Sequence, residues 1–369
     1  MVKICYFTSK KSSDTRVFEK ECSSLVNAGY EVYLVSPNAK DEIKNGVHIV
    51  GFPYRPKGFL RRNFCLPKLL FKKALSINAD IYHFNDPSCL HYGAKLKREG
   101  KKVIFDSFED HPLLIFEKTK IPKKLLYIIS KMYTAYEYYY CRKFNALISC
   151  YHWTQERFQK ACKINQLVFN FPILKPSITK FEYDTKPSLC YAGLFSEMWK
   201  IENIVRSLSD LGDIQFNLAG HGDEGYIDKL RNLKGWEKVN YMGSVEREKV
   251  PSLIYKKSRI GMVLLDYIPL CKGNVGNLSN NKFFEYMMAG LPIICTDFSL
   301  WKEIVEPNKC GICINPNDID EIVSAIKYLV NNPDLAKKMG ENGRKIVEQK
   351  YNWKSEEKKL IDLYETVIK

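Results

Sequence analysis

The segment with the most chemistry to offer is Asn277-Leu-Ser-Asn-Asn-Lys-Phe-Phe-Glu-Tyr-Met-Met-Ala-Gly-Leu-Pro-Ile-Ile-Cys-Thr-Asp297. Polar Asn280, Asn281 and Lys282 open a predicted helix, Glu285 sits one turn in, and Gly290-Leu-Pro292 stops it before a buried strand. Free N–H groups at a helix start, reinforced by a lysine, suit a diphosphate. A carboxylate one turn later can accept two hydrogen bonds from a ribose diol. A solvated cap on an ordinary amphipathic helix would use the same residue types.

A second candidate is Ala219-Gly-His-Gly-Asp-Glu-Gly225, which places Gly220 and Gly222 between a predicted strand and a helix. A nicotinamide site also needs an acidic residue about 20 positions on, at the end of the next strand. That strand ends in Val239-Asn-Tyr-Met-Gly243, so the glycines imply a tight turn open to a ligand and not a dinucleotide fingerprint. Cys310-Gly-Ile-Cys313 is a lone CxxC with no second ligand pair. It reads as structural, with no metal site and with reduced thiols throughout.

Charge supplies the third clue. The chain carries a formal +15, and residues 1–180 hold 31 Lys and Arg against 15 Asp and Glu, while the remainder is near neutral. Two tracts concentrate it. One holds Arg55, Lys57, Arg61, Arg62, Lys68, Lys72 and Lys73 among phenylalanines and leucines; the other runs from Lys118 to Lys143 through Lys120, Lys123 and Lys124, with Glu137 its only acid. Cations beside apolar groups fit an anionic membrane surface, each contributing about 1 kcal/mol near it. A solvated face over a core is the plainer reading. Nucleic acid is not the expected partner, although a soluble or nucleic-acid acceptor remains the alternative that such charge allows.

The elements that must position these residues are strands alternating with helices. Val2–Phe7, Glu31–Ser36, Ile81–Phe84, Val103–Asp106, Ala146–Cys150 and Gln166–Phe169 read as buried strands. The rhythm restarts with Ser188–Ala192, Gln215–Ala219, Lys238–Tyr241, Ile260–Leu265, Ile293–Thr296 and Gly311–Ile314. Such alternation predicts parallel sheets and two doubly wound α/β domains, which 369 residues at 45% apolar composition can fill. The predicted division is an N-terminal domain over 1–172, a linker over 173–186 marked by the aperiodic stretch Asn170–Thr179 with its two prolines, a C-terminal domain over 187–350, and a closing helix over 351–369 that packs back on the first domain. No run approaches a membrane span and no signal-peptide core follows Met1. A cytoplasmic protein, peripheral at the inner face of the membrane, is expected.

The chain resembles the family 4 glycosyltransferases over nearly its whole length. The landmarks are Asp14-Thr-Arg-Val-Phe-Glu19, Ala28-Gly-Tyr-Glu-Val32, Tyr82-His-Phe-Asn-Asp-Pro87, Phe105-Asp-Ser-Phe-Glu-Asp110, Tyr191-Ala-Gly193, Leu218-Ala-Gly-His-Gly222, Asn281-Lys-Phe-Phe-Glu-Tyr-Met287, Met339-Gly-Glu-Asn-Gly343 and Tyr351-Asn-Trp353. The resemblance implies the GT-B fold, two Rossmann-like domains facing a cleft. It also implies sugar transfer from a UDP- or GDP-linked donor to a glycan or lipid-linked acceptor with retention of configuration, with neither metal nor cofactor.

The family pattern assigns Glu285 to the donor ribose and Asn277, where the family carries Glu, to the donor sugar. Gly193, Gly220, Gly222, Asn280, Asn281 and Lys282 complete the implied donor site. Lys200 stands in for the basic clamp that Leu194 and Trp199 lack. In the first domain, Phe108 occupies a position where relatives often carry His, so His83, Asp86, Glu109 and His111 are the catalytic candidates. A weakly catalytic sugar-nucleotide-binding partner is the alternative that Phe108 and Asn277 suggest.

Overall fold

The computed structural model describes residues 1–55, 58, 60–117, 121–174 and 186–369. The chain divides into one unit of Met1–Asn170 with Trp353–Lys369, and a second of Phe171–Asn352. Most of the expected 173–186 linker, together with Lys57, Phe59, Lys118 and Lys120, lies outside the described residues.

The first unit is built on an eight-stranded sheet of order β3-β4-β2-β1-β5-β6-β7-β8. Its strands are β1 (Lys3–Phe7), β2 (Glu31–Pro37), β3 (Glu42–Lys44), β4 (Val47–Phe52), β5 (Ile81–Phe84), β6 (Lys102–Ser107), β7 (Ala146–Ser149) and β8 (Asn165–Leu167). All pairings are parallel except β3 with β4. Ile4, Cys5, Tyr6 and Phe7 are all fully buried, as a central parallel strand covered on both faces requires. Phe84 lies 5.2 Å from both Phe7 and Phe105, ring to ring, at the centre of this core.

The β3–β4 hairpin is absent from the predicted elements. Every residue of β3 is exposed, so no apolar alternation marks it. What specifies it is the turn: Asn45 and Gly46 both adopt positive φ, 50° and 75°, as a two-residue type I′ hairpin needs.

The closing Trp353–Ile368 helix belongs to the first unit. Trp353 Nε1 donates to Ser24 Oγ at 3.0 Å, and Glu356 Oε2 accepts from Phe169 N–H at 2.8 Å.

The second unit holds a fully parallel six-stranded sheet of order β11-β10-β9-β12-β13-β14. Its strands are β9 (Ser188–Phe195), β10 (Gln215–Gly222), β11 (Val239–Tyr241), β12 (Ile260–Val263), β13 (Ile293–Thr296) and β14 (Gly311–Ile314). β9 and β10 run three residues beyond their predicted ends because Gly193 and Gly220 lie side by side in register. Their φ angles are 151° and 145°, and a Cβ on Gly220 would sit 1.8 Å from the Gly193 carbonyl oxygen. Only glycine tolerates that approach in that conformation. None of the twelve cysteines forms a disulfide.

Candidate functional site

The Asn281–Met288 helix forms as its sequence dictates. Asn280 is the N-cap, its side chain accepting from Lys282 N–H at 3.1 Å, which satisfies one of the unpaired donors of a helix start. Phe283, Phe284, Tyr286, Met287 and Met288 bury the other face. Among the described residues, Asn280 Nδ2 and Asn281 Oδ1 are buried and find no hydrogen-bond partner, an unusual cost unless a ligand completes them.

Lys282 reaches back from this helix to the β9 turn. A Cβ on Gly193 would meet its Cε at 2.4 Å, and its Nζ lies 3.5 Å from the centroid of the Trp199 ring and 5.1 Å from that of Tyr191. Burial is the main cause that pushes its ammonium down to about 7, outweighing the opposing pull of Glu285. Sequence reasoning treats Trp199 as a lost basic position. The structure has Trp199 supporting a lysine delivered from another element, so the cation is still present.

Glu285 is clamped on both oxygens. Arg247 Nη2 donates to Oε1, and the Tyr255 hydroxyl donates to Oε2 at 3.0 Å. Tyr255 in turn packs edge-on against Tyr286, 5.2 Å between centroids, and Tyr286 OH accepts from Ala192 N–H at 2.9 Å beside Gly193. Sequence reasoning missed Arg247 and Tyr255, because neither lies in a recognisable pattern and both are joined to Glu285 only by the fold.

Two of the expected donor-site residues already have protein partners. Lys200 sits in a left-handed turn with φ 46°, and its Nζ is paired with Asp266 Oδ2 at 2.7 Å; this carboxylate already holds the charge that was to face a diphosphate. Asn277 is 7% exposed. Its Oδ1 accepts from Ser279 N–H at 3.1 Å and its Nδ2 points to Cys271 Sγ at 3.4 Å, so the amide is spent on a local turn.

In the first unit the catalytic candidates have unequal surroundings. His83 is fully buried, its Nδ1 is 2.7 Å from the Tyr364 hydroxyl, and burial pushes it down to about 3. It is a neutral core group here, not an accessible base. Glu21, His83 and Asp106 bring ligand atoms within 4.8 Å of one another, but the Arg16 guanidinium already lies on both carboxylates, at 2.8 and 3.1 Å.

Asp86 is committed to capping, accepting from Ser88 N–H and Oγ–H at 2.9 and 2.6 Å. Glu109 accepts from the Tyr151 hydroxyl at 2.9 Å, and burial raises its carboxyl. His111 opens a short helix capped by Asp110, and burial lowers it to about 4. The Phe108 ring carries Arg16 at 4.3 Å and Lys10 at 4.6 Å from its centroid.

The described cations of the basic tracts mostly face solvent. Arg55, Arg61, Arg62, Lys68, Lys72, Lys73, Lys123 and Lys124 are all exposed. On the Lys123–Cys141 helix, Leu125, Ile128, Met132 and Tyr139 recur at helical spacing and are exposed, Met132 by 68%. Leu126, Ser130, Glu137 and Cys141 are the buried face. No helix among the described residues is long and apolar enough to cross a membrane.

Two family models match: Glycosyltransferase Family 4 over residues 15–168, and Glycosyl transferases group 1 over residues 177–346. Together they take in most of the chain. It belongs to the family 4 glycosyltransferases.

This glycosyltransferase is 24% identical over 197 residues to a glycosyltransferase of Methanocaldococcus jannaschii, covering 51% of this chain and 47% of that protein. The chain thus spans about half the length of the curated relatives first matched. Among solved structures, sucrose-phosphate synthase from Thermosynechococcus elongatus aligns with a TM-score of 0.77 at 16% identity, covering 100% of this chain and 99% of that one. HepE of Anabaena, in complex with UDP and glucose, aligns at 0.72 and 12% identity, covering 99% and 100%. These likenesses fix the GT-B fold of the chain.

Proposed function

We propose that this glycosyltransferase passes a sugar from a UDP- or GDP-linked donor to a glycan acceptor carried on lipid. Transfer proceeds with retention of anomeric configuration and without a metal, at the inner face of the membrane. The observation that carries the reading is the start of the Asn281–Met288 helix, where a cap, a buried lysine and a carboxylate one turn on stand together. Lys282 and the helix N-terminus neutralise the diphosphate, and Glu285 takes the ribose hydroxyls. As the sugar–phosphate bond breaks, the departing diphosphate gains negative charge, and the same cation holds that charge better than the ground state. The acceptor proton then passes to the diphosphate oxygen, so the loss of His83 as a base is tolerable. UDP is favoured as the leaving group because HepE, a structural neighbour, holds UDP.

The lipid-linked acceptor rests on the exposed Leu125, Ile128 and Met132 beside Lys123, Lys124 and Lys131. A lattice of cations around an apolar stripe is the arrangement of a helix lying in a bilayer interface. One experiment tests both parts: donor turnover with a lipid-linked acceptor mixture in anionic and in neutral vesicles. Turnover only in anionic vesicles, lost in Glu285→Ala, supports the reading; equal turnover on a water-soluble acceptor removes the lipid part.

A second reading is favoured by Phe108, whose ring is occupied by Arg16 and Lys10 where relatives often carry His. The protein would then bind the nucleotide sugar and catalyse weakly. Tight donor binding with neither hydrolysis nor transfer would select it.

A further inference from the structure

The carboxylate of Glu285 is held on both oxygens by side chains of other elements. Arg247 comes from the turn after β11 and takes Oε1; Tyr255 comes from the turn before β12 and takes Oε2. Tyr255 is 3% exposed, Arg247 about half exposed, and Glu285 between them. A carboxylate offers about four lone-pair directions. Two are filled here, one on each oxygen, which fixes the plane of the group and leaves one free direction on each oxygen. That is the geometry a vicinal diol needs, since its two hydroxyls donate side by side.

We propose that Tyr255 and Arg247 are the positioning pair that makes Glu285 a reader of the ribose diol. This rests on the reading of Glu285 as the ribose-binding residue, and it goes further by naming what gives the site its selectivity for ribose over deoxyribose. The pair acts through Glu285, and neither residue needs to touch the nucleotide. Tyr255 is itself anchored: its ring packs on Tyr286, whose hydroxyl holds the backbone of Ala192 next to Gly193. The ribose reader and the diphosphate end of the site are therefore tied by one chain of contacts.

The test is calorimetric binding of UDP and of 2′-deoxy-UDP to the full-length protein and to Glu285→Ala, Tyr255→Phe, Arg247→Gln and Arg247→Lys. Thermal melts confirm that each variant folds. The wild type should prefer UDP by about tenfold or more, the worth of one hydrogen bond to a charged group. Glu285→Ala should abolish that preference. Tyr255→Phe and Arg247→Gln should each reduce it severalfold while 2′-deoxy-UDP affinity stays within about twofold, and Arg247→Lys should restore part of it. If Glu285→Ala keeps the preference, the ribose assignment itself fails. If Glu285→Ala loses the preference while Tyr255→Phe and Arg247→Gln keep it in full, the assignment stands and the positioning pair is overturned.

Discussion

Lys282 gives the account its most quantitative consequence. Packed against Trp199, Tyr191 and the Gly193 turn, its ammonium is held down to about 7 in the free protein, chiefly by burial. A bound diphosphate supplies the missing counter-charge and returns the group to full protonation. Nucleotide binding must then take up a proton whenever the medium is more alkaline than the free lysine. At pH 7 about half the molecules carry the charge, at pH 8 roughly one in eleven and at pH 9 roughly one in a hundred. If only the charged form binds, UDP affinity falls about fivefold from pH 7 to 8 and about fiftyfold from pH 7 to 9. The penalty at pH 8 is about 1.4 kcal/mol, with roughly 0.9 proton taken up per UDP. The phosphate second ionisation lies near pH 6, so above about pH 7.5 the ligand adds little of its own. Calorimetry in two buffers of different ionisation enthalpy measures the uptake directly. Lys282→Met should bind UDP weakly and without this pH dependence. An affinity that is flat from pH 7 to 9, or no proton uptake at pH 8, would refute the placing of this lysine on the diphosphate.

Gly220→Ala should destabilise the second unit by roughly 2–5 kcal/mol, because a Cβ would strike the Gly193 carbonyl oxygen and because φ is 145° there; denaturant unfolding that leaves its midpoint unchanged would contradict this. His83 stays neutral in the fold down to about pH 3, whereas in the unfolded chain it protonates near 6.5. The unfolded state therefore binds the extra proton, and this part of the stability falls as pH drops from 6.5 towards 3. At pH 4 the loss is roughly 3 kcal/mol relative to His83→Gln, and parallel stability curves for the two proteins would rule it out. On the exposed side of the Lys123–Cys141 helix, Ile128→Glu with Met132→Glu should release the protein from anionic vesicles and leave UDP affinity unchanged, which flotation and calorimetry check together.

Much of the fold is written in the buried strands. Ile81–Phe84 and Ile293–Thr296 occur as their apolar runs predict, and Asp318 caps the Ile319–Asn331 helix through Glu321 N–H at 3.0 Å. Continuous apolar segments between turn residues have few other ways to bury themselves. The exposed β3 escaped because a short edge strand on a sheet carries no hydrophobic signal, and β9 and β10 ran long because glycine reads as a strand end when it is in fact a close-approach position.

The site was legible only along the chain. Asn280, Lys282 and Glu285 announce themselves by helical spacing, but Lys282's partnership with Trp199 and the clamp of Arg247 and Tyr255 on Glu285 join residues that sequence order keeps far apart. Lys200 and Asn277 show the converse: position in a family pattern marked them, and Asp266 and Ser279 claim them locally.

The start of the Asn281–Met288 helix is the proposed seat of the sugar nucleotide's diphosphate. A thermal-stability screen of UDP- and GDP-linked sugars, run on the wild type and on Lys282→Met, tests it most directly. At a hundred times its dissociation constant a ligand adds about 2.7 kcal/mol, worth about 5–10 °C in a unit of this size. At least one nucleotide sugar should give a shift of that order in the wild type and a much smaller one in Lys282→Met; equal shifts in the two proteins, or none with any nucleotide sugar, would contradict the placing of the diphosphate there.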